Sequence, residues 1–306
     1  MTSWAVAAAL CSAVCYAAAA ALQEHEASAP AGRASGQSLV RHLCCRPRWI
    51  AGIVAMISGA GLHAVALSYG PLPLIQPIGV VVLLFALPFG AALHRRRVHL
   101  RDWCAAAAVV VGLSVFLGAV HVHSRTPHMS PGATLMLVAC TILGIGVCLA
   151  LAPRRNARYS AILLAAAAGI AFGASSALVR ATGARVVTHG ATALIGWPIA
   201  AVAVVLPLGF VLSQYAYRTG SLGAALSTMT VVDPLTAIIF ATGLLGETLH
   251  AGVLAAAVAF GAGALVIAGI VVLAGGEPLE QSAPTVSPRI PTPRSLAAAS
   301  TTLKNG

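Results

Sequence analysis

Nine apolar stretches, each about the length a helix needs to cross a bilayer, make up most of this chain. They run approximately over residues 2–22, 49–69, 73–93, 103–121, 132–152, 160–179, 190–212, 222–245 and 251–274. Crossing the hydrocarbon as a helix takes roughly 20 such residues. With 59% apolar and only 8% charged residues among 306, too little polar surface remains to cover a soluble core. The chain is expected to fold as an all-α polytopic membrane bundle of nine transmembrane helices.

The basic residues assign each loop to a side. Alternating from an outside N-terminus puts Arg33, Arg41, Arg46, Arg48, Arg95, Arg96, Arg97 and Arg101 in the cytoplasm. Arg154, Arg155, Arg158, Arg218, Arg289, Arg294 and Lys304 join them, so that 15 of the 18 basic residues lie inside. Arg125, Arg180 and Arg185 remain outside. One missed helix would scramble so strong a bias, which predicts a multi-pass protein of the cytoplasmic membrane with its C-terminus inside. The net charge of +11 is then explained by topology and anionic lipid head groups, and no nucleic acid is expected as a partner. The start, Met1-Thr2-Ser3-Trp4, lacks the positive charge of a secretion signal, so 2–22 is expected to be retained as the first helix. Residues 275–306 are rich in Pro, Ser and Thr without an apolar period, and read as a disordered cytoplasmic tail after a membrane domain of 1–274.

Against this background one residue stands out. Asp233 lies halfway along the eighth stretch, immediately before Pro234. A carboxylate near the midplane costs several kcal/mol unless it meets a partner, water or a proton. A proline beside it is expected to break the helix there and free carbonyls toward a cavity. Thr230 and Ser227 lie one and two turns earlier on nearly the same face, with hydroxyls able to meet the carboxylate or line a polar path. The other acids occupy ordinary positions: Glu24 and Glu26 end the first helix on the cytoplasmic side, Asp102 flanks a basic loop, and Glu247 ends the eighth helix outside. His63 falls on a small-residue face of the second helix that includes Ala55 and Gly59, either as a packing residue or as a proton relay.

A weak internal repeat accompanies the spans. Ala66 to Leu72 leads into Gln76-Pro77 and an apolar run, as Ala216 to Leu222 leads into Asp233-Pro234 and another. The third helix and the eighth run in opposite directions. Units 2–121 and 160–274 are therefore expected to be inverted four-helix copies joined by 132–152, with sites at their interface on interrupted helices. Gln76 becomes the counterpart of Asp233, and Pro77 and Pro234 become matched helix breaks. Gly169, Gly173 and Ala177 form a small-residue face suited to close packing, within the bundle or against a second copy as a homodimer.

Other motifs carry little. The seven cysteines are scattered, and Cys44, Cys45 and His42 lack a second ligand pair, so no metal is expected there. His121, His123 and His128 surround Arg125 and read as an outer loop rather than a metal site. The chain has no Walker lysine motif, no GxSxG and no HExxH, so neither an ATP motor, an enzyme nor a cofactor is expected.

The runs Trp49-Ile50-Ala51-Gly52, Ala66-Leu67, Gly70-Pro71-Leu72, Gln76-Pro77 and Gly112-Leu113 resemble the drug/metabolite transporter (EamA-like) superfamily. Gln214-Tyr215-Ala216, Gly220-Ser221-Leu222, Asp233-Pro234 and Gly246-Glu247 are similar to its closing helices, in which a proline-containing helix ends in Gly-Glu. The bias toward Ala, Val and Leu also resembles integral membrane proteins of actinobacteria. The nine-helix layout is similar to that of the NIPA-type magnesium transporters, which carry Thr-Pro where this chain has Gln76-Pro77 and Asp233-Pro234. The resemblance implies secondary transport of a small metabolite, drug-like cation or ion, with the bilayer and that solute as partners. Asp233, Thr230, Gln76 and His63 are the expected binding residues. A divalent-cation transporter and a non-transporting membrane scaffold are the alternatives.

Overall fold

In the computed structural model, described over residues 2–29, 39–69, 78–119, 121–123, 130–152, 156–190, 196–244, 248–250 and 253–275, the chain is an all-helical, multi-pass integral membrane protein. The helices are α1 (Thr2–Ser28), α2 (Leu39–Leu43), α3 (Pro47–Tyr69), α4 (Val82–Leu93), α5 (Leu100–Ala119), α6 (Pro131–Leu151), α7 (Ala157–His189), α8 (Trp197–Thr219), α9 (Leu222–Leu244) and α10 (Val253–Ala274). Among the described residues, eight helices are long and apolar enough to cross a membrane, and a ninth, Ile78–Leu93, is shorter. Its 16 residues span about 24 Å, short of the roughly 30 Å of hydrocarbon. The third stretch, expected over 73–93, is therefore a full span only if residues before Ile78 extend it, and these lie outside the described residues. Leu135, Leu143, Trp197, Phe260 and Ile267 are exposed around the bundle, a surface that lipid tolerates and water does not.

Lipid tails are as apolar as leucine, so helices in a bilayer associate by close packing and hydrogen bonding rather than by burial alone. Alanine provides that closeness here. Ala5, Ala9, Ala13, Ala17 and Ala21 recur at every fourth position of α1 and are buried, as are Ala161, Ala165, Ala168 and Ala171 on α7. The most extensive interfaces join α1 to α3, α7 to α8, α5 to α10 and α7 to α9. The Gly59 face of α3 packs within the chain: a methyl group at Gly59 would stand 3.2 Å from the Tyr16 ring and 3.3 Å from Cys15 Cβ on α1.

Two of these interfaces repeat one another. At Gly209 on α8, a methyl group would stand 2.8 Å from Ala171 Cβ and 3.2 Å from the Phe172 ring. A small residue followed by an aromatic thus faces a glycine in both helix pairs, Cys15-Tyr16 against Gly59 and Ala171-Phe172 against Gly209. The α5–α10 crossing repeats within itself. A methyl group at Gly112 would stand 2.8 Å from Val266 Cγ2 and 2.9 Å from the Ala262 carbonyl, and one at Gly269 would stand 2.7 Å from Val109 Cγ2 and 2.8 Å from the Ala105 carbonyl.

Beyond α5 the chain forms β1 (His121–His123), paired antiparallel with β2 (Thr248–His250) before α10. His121 stands opposite His250, and His123 opposite Thr248. The histidine segment expected as a loop is therefore in part a strand. Its backbone groups lie past the end of a helix, and the ribbon satisfies them by pairing with a second chain end. Residue 128 and the tail from residue 276 lie outside the described residues.

Candidate functional site

α9 passes through Asp233-Pro234 without interruption. The expected helix break does not occur: the helix continues through this step, because a transmembrane helix keeps its other backbone bonds and neighbouring helices pack on it. Pro234 still has no N–H, so the Thr230 carbonyl one turn earlier loses its helical donor. That carbonyl becomes a spare acceptor beside the carboxylate.

The small-residue face of α7 packs directly on this step. A methyl group at Gly169 would stand 2.7 Å from Val232 Cβ, and one at Gly173 would overlap the Asp233 carbonyl and the Thr236 side chain. This closeness brings Ser176 of α7 next to Asp233, with its hydroxyl near enough to act on the carboxylate. Ser176 is exposed and Asp233 half-buried, so the pair is crowded by helices without being sealed. Tyr16 of α1, the residue facing Gly59, lies within electrostatic range of Asp233. α7 packs directly on the carboxylate's helix, and α1 brings a phenol into its field.

The neighbouring hydroxyls are turned toward their own backbone. Thr230 Oγ1 donates to the Leu226 carbonyl at 2.8 Å, and Ser227 Oγ donates to Ala224 at 3.2 Å. Their protons are used within α9, and only lone pairs are left to face a guest. With the spare Thr230 carbonyl, the surroundings of Asp233 are rich in acceptors. Such a set suits a proton or a cation and disfavours an anion.

His63 lies on α3 against Gly79, where a methyl group would stand 3.7 Å from His63 Cε1. That places it at the junction with the start of the short apolar helix. Gln76, Pro77, Gly246 and Glu247 fall outside the described residues. Among the described residues, no group of three or more His, Cys, Asp or Glu is placed to hold a metal ion.

A second polar locus was not expected from sequence. Asp233 is not the only deep acid: Glu24, expected merely to end the first helix, is 1% exposed. Its Oε2 accepts from His94 Nε2 at 2.8 Å, just beyond α4, and Tyr217 of α8 is buried within its field. The His94 and His25 rings lie 5.0 Å apart, and Arg48 of α3 stands 3.3 Å from His25 Nε2. Next to this cluster, Trp49 Nε1 donates to Gln214 Oε1 at 2.9 Å and Gln214 Nε2 donates to Gln23 Oε1 at 3.0 Å. The signal for it was diffuse: Gln23-Glu24-His25-Glu26 adjoins the first loop, but His94 and Gln214 are far away in the chain.

Over 204 residues the chain is 29% identical to an uncharacterized protein of Corynebacterium glutamicum, a match covering 66% of this chain and 70% of that protein. No family model and no solved structure matches it.

Proposed function

We propose that this chain is a secondary transporter of the cytoplasmic membrane that moves a small cationic solute or ion by alternating access. Asp233 is its proton- or cation-binding group. The observation that carries this reading is the half-buried carboxylate midway along α9, beside Ser176 of α7 and bordered by the acceptor-only oxygens of Thr230. A carboxylate retained at that depth despite its cost is best explained by what it binds.

The repeated packing supports an inverted-repeat architecture. The alignment that matches Ala66 with Ala216 also matches Gly59 with Gly209. The one that matches Pro77 with Pro234 also matches Gly112 with Gly269, Val109 with Val266 and Ala105 with Ala262. The two alignments are offset by seven residues from one another, and each joins a sequence match to a packing match, which supports two related halves that rock about a shared axis. The drug/metabolite superfamily is the transporter group this layout resembles most. The scaffold alternative is weakened because the Gly59, Gly169 and Gly173 faces are used inside the chain.

The test uses the full chain in proteoliposomes, with ethidium and Mg²⁺ as probe cations, with and without a pH gradient. Ethidium flux driven by the gradient is expected, and Asp233→Asn should reduce it at least roughly tenfold, the loss of a transport-linked charge. Mg²⁺ flux independent of the gradient would favour the divalent-cation alternative. Undiminished flux in Asp233→Asn across pH 5–8 would exclude Asp233 from the path.

A further inference from the structure

α4 closes on an arginine where helices usually close on glycine. The Arg95 N–H donates to the Ala92 carbonyl at 3.2 Å and the Arg96 N–H to the Ala91 carbonyl at 2.9 Å, the paired closure that ends a helix through one left-handed residue. That residue is Arg95, with φ 52°, and among the described residues no other non-glycine residue has a positive φ. A Cβ is disfavoured in this conformation, so an arginine kept there points to a use for its side chain. The turn that follows is short and pinned, with Val98 packed against the core and α5 starting at Leu100. Arg95, Arg96 and Arg97 are thus three successive exposed guanidinium groups on a fixed turn.

The protein gives these three no counter-charge. Each acid described at this end is engaged elsewhere: Glu24 Oε2 accepts from His94 at 2.8 Å, Glu26 stands 4.0 Å from Arg46, and Asp102 Oδ2 accepts from the His99 N–H at 3.3 Å. Neighbouring arginines are also in use. Arg46 and Arg48 contact His42 and His25, and Arg101 lies across the end of α10, 2.8 Å from where a methyl group at Gly275 would stand. Among the described residues, Arg95, Arg96 and Arg97 have no side-chain partner.

Guanidinium forks match phosphate oxygens in pairs. The residues that follow in sequence favour one source of phosphate. Leu100 is 78% exposed and Trp103 38% exposed, on the first turn of α5. A tryptophan at a membrane interface sits at headgroup level, its apolar body toward the acyl chains. A soluble phosphate would leave both residues uncovered, whereas a lipid brings a phosphate and a chain together. We propose that Arg95, Arg96 and Arg97 form a binding site for the phosphate of an anionic phospholipid, with its acyl chains against Leu100 and Trp103. This is more than the general attraction of basic loops to anionic membranes, because it assigns the phosphate to three arginines and leaves Arg46 and Arg48 out. The site stands apart from Asp233 and does not depend on whether the chain transports anything.

The experiment is native mass spectrometry of the full chain in an uncharged detergent, titrated with phosphatidylglycerol or with phosphatidylcholine of the same acyl chains. Phosphatidylglycerol should bind at least about tenfold more tightly. Arg95→Lys, Arg96→Lys and Arg97→Lys together keep the charge and the topology but remove the paired geometry, and should weaken phosphatidylglycerol binding at least about threefold. Arg46→Lys with Arg48→Lys should leave it unchanged. If the triple variant does not assemble, Arg95→Gly, which suits the left-handed turn, decides the matter by the same loss of affinity. Equal affinity for the two lipids overturns the proposal. So does undiminished affinity in the triple variant, which means attraction without a site, or an equal loss in the Arg46 and Arg48 pair. Displacement of the lipid by inorganic phosphate would assign the arginines to a soluble anion and sink the lipid as their ligand.

Discussion

Gly173 sets how closely α7 can approach the Asp233-Pro234 step, and it does so against backbone. A side chain there meets the Asp233 carbonyl, which cannot rotate away. Overpacking costs typically about 1–3 kcal/mol when neighbours can yield, so Gly173→Val should lie at or above the upper limit. Its thermal unfolding midpoint in nanodiscs should drop well below wild type, or the protein should fail to assemble. Gly61→Ala is the matched control: a methyl group there meets nothing within 4 Å, and leaving glycine in a helix gains up to about 1 kcal/mol. An unchanged or raised midpoint is expected for it. Trp49→Phe probes the other polar locus. It keeps most of the apolar bulk but leaves Gln214 Oε1 buried without its donor, at a cost of about 1–3 kcal/mol. A midpoint equal to wild type would mean that water replaces the indole.

At the scale of elements, the α5–α10 crossing makes a sharper prediction, because each helix presents the same residues to the other. Gly112→Ala and Gly269→Ala each push a methyl group to within 2.9 Å of a carbonyl and a valine methyl. They should lower the unfolding midpoint by equal amounts, and the double variant should fall short of their sum, because one separation of the helices relieves both clashes. Unequal effects would mean that the two halves bear different loads. Much of this was legible in the sequence. Apolar runs located the helices because lipid enforces length and composition. The matched runs at Pro77 and Pro234 pointed to the helices that follow them, but not to Gly112 and Gly269 as the residues in contact. What failed were readings that treated a residue without its neighbours. Pro234 lies inside a continuous α9, on which α7 packs. Thr230 and Ser227 bond their own turns, which periodicity cannot show. Glu24 looks like a loop-side acid in one dimension, and only the return of α4 and α8 to that end buries it.

For the whole molecule, the arginines and the packing describe one object. Arg46 and Arg48 at the start of α3 and Arg95, Arg96 and Arg97 after α4 share an end with Glu24, joined to it through His25 and His94. Such a concentration of arginines at one end predicts that this end faces the cytoplasm. Two native thiols report on this directly. Cys44 and Cys45 are exposed between α2 and α3, beside Arg46. Cys11, Cys104 and Cys140 are also exposed but sit within apolar helices, whose lipid-facing sides a water-borne reagent does not reach. A membrane-impermeant maleimide should therefore leave the protein nearly unlabelled in intact cells and label it readily in inverted vesicles. Cys44→Ala with Cys45→Ala should remove most of that label, because the remaining thiols are lipid-facing or half-buried. Labelling of Cys44 and Cys45 from outside intact cells would turn the molecule over, putting the Glu24 cluster on the outer face and leaving the arginines to be explained by something other than topology.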